Sequence, residues 1–167
     1  LDQINKIKEA IKVCTGEYIF LLDGDDLFKV DKVSKVISLN KKKNLCLDDF
    51  VVYKNNKYLY LNYKKFKKNI LYKFLFNPWP DKICTSCISG PKNLFDNFFL
   101  NNKIISSKYL AIDVLLIIFY LDRIQILKQI LTIKKESLIS VDKKYSNKLS
   151  EIYWARRIEQ HKYLKKK

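Results

Sequence analysis

A continuous apolar run that ends in a cluster of acids constrains the fold of this chain more than any other feature. Residues 17–23 read Glu-Tyr-Ile-Phe-Leu-Leu-Asp, and Gly-Asp-Asp follows directly. Apolarity that is continuous rather than alternating is typical of a strand buried on both faces, as in a parallel sheet. A helical pattern over residues 2–13 precedes the run. The pattern therefore predicts an α/β unit in which residues 17–23 form an interior strand.

The acids after this predicted strand indicate a site for a divalent cation. Asp23, Asp25 and Asp26 lie within four residues, and such carboxylates repel one another unless a cation lies among them. Mg²⁺ is usually bound by one or two carboxylates together with substrate phosphate oxygens. Gly24 would let a ligand approach the backbone. The alternative is an exposed acidic turn in which Asp26 caps a helix.

The rest of the pattern predicts a mixture of helices and strands without an internal repeat or a linker. Asp31 is expected to cap a helix over residues 32–40, with Val33, Val36 and Ile37 on its inner face. The other predicted elements are a hairpin turning at Asn55-Asn56, a basic helix at 64–76, a short strand at 83–89, a short helix that Pro91 opens, a buried helix at 109–121, strand segments around 124–126 and 130–132, and a polar helix from Asp142 onward.

The composition restricts the class of protein. Hydrophobic residues make up 48% of the 167, which excludes a disordered chain. The net charge of +16 comes from lysines spread over the whole chain, with no arginine cluster, so we expect no specific binding of nucleic acid. The longest apolar run has 13 residues, from Tyr109 to Leu121, and a membrane span needs about 20. The chain has no Met and begins at Leu1, which predicts a fragment of a longer protein.

Four cysteines are present, and two of them, Cys84 and Cys87, have the C-x-x-C spacing. A second such pair is absent, and the single histidine, His161, is far away in the sequence. We interpret Cys84 and Cys87 as reduced structural thiols, with a metal or redox role as the alternative.

The segment from Thr15 to Phe28 resembles the T-G-E-Y-I-x-x-L-D-x-D-D segment of family 2 glycosyltransferases, which have the GT-A fold. Weaker matches to the same family follow in order at Trp79-Pro80, Thr85–Ser89 with Lys92 and Phe95, Ala111–Asp113 with Leu115-Leu116, Leu131–Ile133, and Trp154–His161. The resemblance implies a partial GT-A domain of the α/β class, a Rossmann-like mixed sheet flanked by helices that lacks its N-terminal nucleotide-binding strands.

The same resemblance implies one domain over residues 1–167, the C-terminal part of a GT-A catalytic domain. Its parts would be an α/β unit bearing the D-x-D acids at 1–49, an acceptor-side region at 50–133 and a C-terminal helical segment at 134–167. We expect activity in the longer parent protein, because the base-binding strands of the family would lie upstream of Leu1.

The implied activity is metal-dependent, inverting transfer of a sugar, of the hexosyltransferase type. The donor would be a nucleotide-sugar and the acceptor a glycan or lipid-linked molecule of surface polysaccharide synthesis. The enzyme would be cytoplasmic, with peripheral contact to the anionic inner face of the membrane. The alternatives are a haloacid-dehalogenase-like phosphatase, whose pattern wants Thr or Val where Leu27 stands, and a basic binding module without enzymatic activity.

Roles for individual residues follow from the matched positions. Asp23 and Asp25 would hold Mg²⁺ or Mn²⁺ against the donor diphosphate, with Asp25 as the direct ligand. Arg157 and His161, four residues apart on one helix face, would contact the diphosphate or a metal-bound oxygen, and the alternative is a solvated terminal helix. Trp79 would stack on a sugar, and the alternative is a place in the core.

Asp113 is the candidate for the catalytic base. It is the lone carboxylate in an apolar stretch, where desolvation tends to raise the pKa of a carboxyl group and strengthen it as a base. The alternative is an acid placed in the first turn of a helix, where the helix dipole favours it. Many family members carry two adjacent acids here, whereas position 112 is Ile.

Overall fold

The computed structural model describes residues 3–60, 84–100, 112–135 and 150–165. The helices in these ranges are α1 (Gln3–Val13), α2 (Lys32–Leu39), α3 (Lys92–Phe99), α4 (Ile112–Phe119) and α5 (Glu151–Leu164). The strands are β1 (Tyr18–Phe20), β2 (Leu27–Phe28), β3 (Leu45–Lys54), β4 (Lys57–Leu59), β5 (Ile88–Pro91) and β6 (Ile124–Lys135). Trp79 and the predicted helix at 64–76 lie outside the described residues.

The strands form one mixed sheet in the order β1-β5-β3-β6-β2, and β4 pairs with the outer end of β3. β5 runs antiparallel to both β1 and β3, and β3 runs parallel to β6 over the register from Leu45 with Ile124 to Tyr53 with Lys135. Helices flank this sheet, which confirms the predicted fold class, an α/β arrangement consistent with part of a GT-A domain.

A hydrophobic core lies on each face of the sheet, and successive residues of β3 point into opposite cores. Leu45 and Leu47 belong to the larger core, together with residues of α1, α3 and α4. Cys46, between them, belongs to a smaller core with Val36 of α2 and with Leu127 and Leu131 of β6. The sheet therefore separates α1, α3 and α4 on one side from α2 on the other.

The prediction for residues 17–23 is wrong in two respects. The strand covers only Tyr18–Phe20, and within the described residues it is the last strand of the sheet, paired antiparallel with β5 alone. Its continuous apolarity does not mean burial on both faces, since Ile19 is buried but Leu22 is 51% exposed. Leu21 still donates its backbone N–H to the Ile88 carbonyl, at 3.0 Å, before the chain turns away.

The inner face of α2 also differs from the prediction. Lys32 and Val36 are buried, whereas Val33 and Ile37 are 47% and 46% exposed. Asp31 precedes the helix as expected but its side chain makes no capping hydrogen bond. Its carboxylate pairs instead with Lys35 at 2.6 Å, and this hydrogen bond lowers the pKa of Asp31.

The other predicted elements agree more closely. The hairpin forms from β3 and β4, and both Asn55 and Asn56 have the positive φ that a tight two-residue turn requires. Residues 124–135 form one long strand, and residues 112–119 form a buried helix. The segment at 83–89 is a strand only from Ile88, because Thr85–Cys87 form a single turn of 3₁₀-helix. Within the described residues, no helix is both long and apolar enough to cross a membrane.

Candidate active site

The three acids and the glycine of residues 23–26 form a tight turn that begins three residues after the end of β1. The backbone N–H of Asp26 donates to the Asp23 carbonyl at 3.0 Å, with Gly24 and Asp25 between them. Asp25 is exposed and Asp23 is half-buried. The turn therefore presents the side chain of Asp25 to solvent at the carboxyl end of β1.

Asp26 turns inward and is only 5% exposed. Its Oδ2 atom accepts a hydrogen bond from the Ser86 hydroxyl at 2.7 Å, and its Oδ1 atom accepts the backbone N–H of Lys135 at 3.1 Å. Burial raises the pKa of Asp26, and the hydrogen bonds from Ser86 and Lys135 offset part of the shift. Asp26 therefore anchors the acidic turn to the end of β6. It does not cap a helix.

Ser86 lies fully buried in the turn at 84–87, and its hydroxyl serves two groups. It donates to Asp26 and accepts the backbone N–H of Asp23 at 3.0 Å. One side chain thus contacts both ends of the acidic turn.

A buried ion pair lies behind Ser86. The Lys32 ammonium and the Asp48 carboxylate are 2.7 Å apart, and neither side chain is exposed. The ammonium also donates to the Ser86 carbonyl at 2.6 Å and to the Thr132 hydroxyl at 2.7 Å, so each of its three N–H groups has an acceptor. The Thr132 hydroxyl in turn donates to Asp48 at 2.6 Å, and the Phe28 ring lies 4.2 Å from the ammonium.

Burial raises the pKa of Asp48, and the Lys32 ammonium counteracts this shift only in part. A buried charge of this kind is tolerated because the ammonium has three acceptors and the carboxylate is paired with Lys32 and accepts the Thr132 hydroxyl. The network joins α2, β3, β6 and the turn at 84–87 beneath the acidic turn.

The model of glycosyl transferase family 2 matches residues 2–99, which is more than half of the chain. The chain belongs to this family. No curated protein matches the sequence. The match covers the acidic turn, Ser86, Lys32 and Asp48, and it ends before Asp113. Family membership makes glycosyl transfer the class of activity, with a nucleotide-sugar donor and an acceptor as its substrates.

The glycosyltransferase turn offers a donor set that suits a divalent cation. Asp26 is committed to Ser86 and Lys135, whereas Asp25 is exposed and Asp23 is half-buried. Mg²⁺ keeps several waters and takes only one or two carboxylates when phosphate oxygens complete its shell, so two acids at an open turn fit such an ion. Across the described ranges, no three His, Cys, Asp or Glu side chains are grouped to hold a metal on their own.

The other predicted site residues lie on separate helices. Asp113 is 6% exposed in the first turn of α4, where its Oδ1 atom accepts the backbone N–H of Val114 at 2.8 Å. On α5 the guanidinium of Arg157 lies 5.1 Å from the centre of the Tyr153 ring, and His161 is exposed one turn later. The roles of these three residues stay predictions.

Cys84 and Cys87 are free and buried, with their sulfur atoms 3.2 Å apart. They pack with Phe50 in a small apolar cluster. Burial raises the pKa of the Cys87 thiol well above its ordinary value, which agrees with the interpretation of reduced structural thiols.

Sequence reasoning missed the network of Lys32, Asp48, Ser86 and Thr132. A signal was available, because Asp48 and Asp49 follow three apolar residues, and an acid that is buried beside such a run needs a cationic partner. The partner could not be identified from spacing, since Lys32 and Asp48 lie on different elements and the chain holds many lysines.

Proposed function

We propose that this chain carries the metal-binding and acceptor-side part of an enzyme that transfers a sugar, with inversion, from a nucleotide-sugar to a glycan or lipid-linked acceptor. The observation that supports it most is the acidic turn of a family 2 glycosyltransferase, in which Asp25 is exposed while Asp26 is withdrawn into the protein. A bound Mg²⁺ or Mn²⁺ would neutralise charge on the departing diphosphate. A cytoplasmic location, with surface lysines on an anionic membrane, is part of the proposal.

Asp23 and Asp25 would bind that ion from one turn, with Asp25 as the direct ligand because its side chain is the more exposed. Asp26 would not bind it, because its side chain is turned into the protein, where Ser86 and the backbone N–H of Lys135 hold it. In this proposal Asp26 fixes the shape of the turn, and Asp23 and Asp25 bind the ion.

Asp113 would accept the proton of the attacking acceptor hydroxyl. Its burial in α4 and its place in the segment that resembles the family's base-bearing segment support this role. The base and the metal ligands must bracket the reacting sugar, so we expect a separation of roughly 6–12 Å between the carboxylates of Asp113 and Asp25.

The first prediction concerns Asp25→Asn in the complete protein. The amide keeps the size of the side chain but loses its charge, so Mn²⁺-dependent transfer should fall by about 100-fold or more, the order expected when several kcal/mol of metal-derived stabilisation are lost. Transfer rate is measured against Mn²⁺ concentration, alongside thermal melting. Asp122→Asn, an exposed acid in a different turn, is the matched control. Unchanged activity of Asp25→Asn at limiting Mn²⁺ would contradict the metal-binding role.

The second prediction concerns Asp113→Asn. Loss of a positioned base should lower kcat by roughly 10²–10⁴-fold while the affinity for the donor changes little. Single-turnover rates and equilibrium binding of the nucleotide-sugar separate the two quantities. Weak donor binding with a normal turnover rate would assign Asp113 to binding instead of proton transfer.

A further inference from the structure

Ser86 fixes both ends of the acidic turn from a distant part of the chain. Its hydroxyl accepts the Asp23 backbone N–H at 3.0 Å and donates to the Asp26 carboxylate at 2.7 Å. The turn closes on itself through the hydrogen bond from Asp26 N–H to the Asp23 carbonyl. Because Ser86 comes 60 residues after Asp26, the shape of the turn depends on tertiary structure and not on its local sequence alone.

Ser86 is in turn held in place from behind. Its carbonyl accepts a hydrogen bond of 2.6 Å from the Lys32 ammonium, which is paired with Asp48. Water cannot substitute for this bond, since Ser86, Lys32 and the Asp48 side chain are shielded from solvent. The backbone of Ser86 therefore has one well-defined position relative to α2 and β3, and its hydroxyl is aimed at the turn from that position.

We propose that Ser86 is a positioning residue for divalent-cation binding by Asp23 and Asp25. The inference rests on the proposed function of the turn. Ser86 is not a ligand, because its hydroxyl is engaged by Asp23 N–H and Asp26. Its effect is to restrict the backbone of the turn to one conformation, so that less conformational freedom is lost when the two acids bind the ion.

The test is Ser86→Ala in the complete protein, with Mn²⁺ binding followed by electron paramagnetic resonance in the presence of a nucleoside diphosphate and without turnover. Groups that orient metal ligands are typically worth 10- to 100-fold in affinity, so the Kd for Mn²⁺ should rise by about that factor. In transfer assays the KM for Mn²⁺ should rise likewise, and kcat at saturating Mn²⁺ should change little.

Two controls separate positioning from a general loss of stability. Ser89 is a second fully buried serine of the same segment, and its hydroxyl has no hydrogen-bond partner among the described residues, so Ser89→Ala should bind Mn²⁺ normally. Ile11→Val trims a buried side chain in α1 and should lower the melting temperature without changing Mn²⁺ affinity. If Ile11→Val weakens Mn²⁺ binding as much as Ser86→Ala does, Ser86 has only a structural role and the inference is wrong.

The double variant distinguishes this inference from the proposed function. If Ser86 acts through the acidic turn, Ser86→Ala should weaken Mn²⁺ binding by a smaller factor in the Asp25→Asn protein than in the wild-type protein. Normal Mn²⁺ binding by Asp25→Asn would overturn the metal-binding role of the turn itself. Weakened binding by Asp25→Asn together with normal binding by Ser86→Ala would overturn the positioning role alone.

Discussion

At the scale of single residues, the buried Lys32 ammonium is the feature that departs most from ordinary protein chemistry. A lysine is seldom fully buried, because removing its charge from water costs several kcal/mol even after the protein relaxes. Here the cost is offset by three acceptors within 2.7 Å, one of them the Asp48 carboxylate. The two side chains are held in one arrangement, because moving either of them would leave the other as an unpaired buried charge.

The third prediction is that removing one member of the Lys32–Asp48 pair lowers the free energy of unfolding more than replacing both members does. Lys32→Met leaves Asp48 as a buried carboxylate without its cation, and should lower the free energy of unfolding by about 3–5 kcal/mol. Lys32→Met combined with Asp48→Leu removes both charges and should recover much of that loss. Urea unfolding of the wild-type protein, Lys32→Met, Asp48→Leu and the double variant measures the coupling between the two sites. A double variant as unstable as the sum of the two single variants would contradict this account.

At this scale the sequence indicates chemistry that is local and does not indicate chemistry that depends on tertiary contacts. The acids of the motif stand out in the sequence because they follow an apolar run, whereas the roles of Asp23 and Asp25 come from the family resemblance and stay predictions. Asp26 turns inward because it accepts hydrogen bonds from Ser86, in the turn at 84–87, and from Lys135, at the end of β6. No spacing rule within residues 23–26 contains that information.

At the scale of elements, the acidic turn has an opening that its own residues do not fill. A Cβ atom added to Gly24 would meet nothing within 4 Å, and the backbone of Gly24 does not have a positive φ. Neither packing nor backbone conformation in the described structure therefore requires glycine here. A ligand that approaches the backbone of the turn would supply the missing reason.

The fourth prediction follows from this opening. Gly24→Ala should leave the fold intact and raise stability by about 0.4–1 kcal/mol, because the unfolded chain loses conformational freedom. The added methyl group should nevertheless lower kcat/KM for the donor by about 10- to 100-fold, the effect of displacing a positioned group by about 1 Å. Gly16→Ala, where the nearest atom would be 3.8 Å away and φ is not positive, is the control that changes stability alone. Full activity of Gly24→Ala would mean that no ligand approaches this backbone.

The elements themselves could be predicted to different degrees. The hairpin was predictable because a short turn with two asparagines specifies its own geometry. The position of β1 in the sheet could not be predicted, because an apolar run indicates that a segment is hydrophobic but not how many strands lie beside it. The inner face of α2 was misassigned because apolar periodicity takes every lysine as an outward residue, whereas Lys32 faces an acid on β3.

At the scale of the whole molecule, 33 basic and 17 acidic residues leave an excess of like charge that the fold must tolerate. Most of this charge is repulsive in the folded state, and repulsion between surface charges extends over the Debye length. That length is about 30 Å at 0.01 M salt and about 8 Å at 0.15 M.

The fifth prediction is that salt stabilises the protein. Raising NaCl from 0.01 to 0.15 M (about 30 to 8 Å of screening) should raise the melting temperature, because screening weakens the net repulsion more than it weakens the buried Lys32–Asp48 pair. Sucrose at matched osmolality serves as the uncharged comparison in the same melting experiment. A melting temperature that falls with NaCl would show that surface ion pairs such as Lys35 with Asp31 outweigh the excess of positive charge.

The parallel pairing of β3 with β6 also determines how the molecule must assemble. It aligns residues about 80 positions apart in the chain, so the entropy of closing a long loop is lost before the first pair forms. Thr132, one of the three acceptors of the Lys32 ammonium, can reach it only after that pairing has formed. The ammonium and its carboxylate partner are therefore expected to remain hydrated until a late step of folding, and that step should be slow compared with the formation of the β3–β4 hairpin.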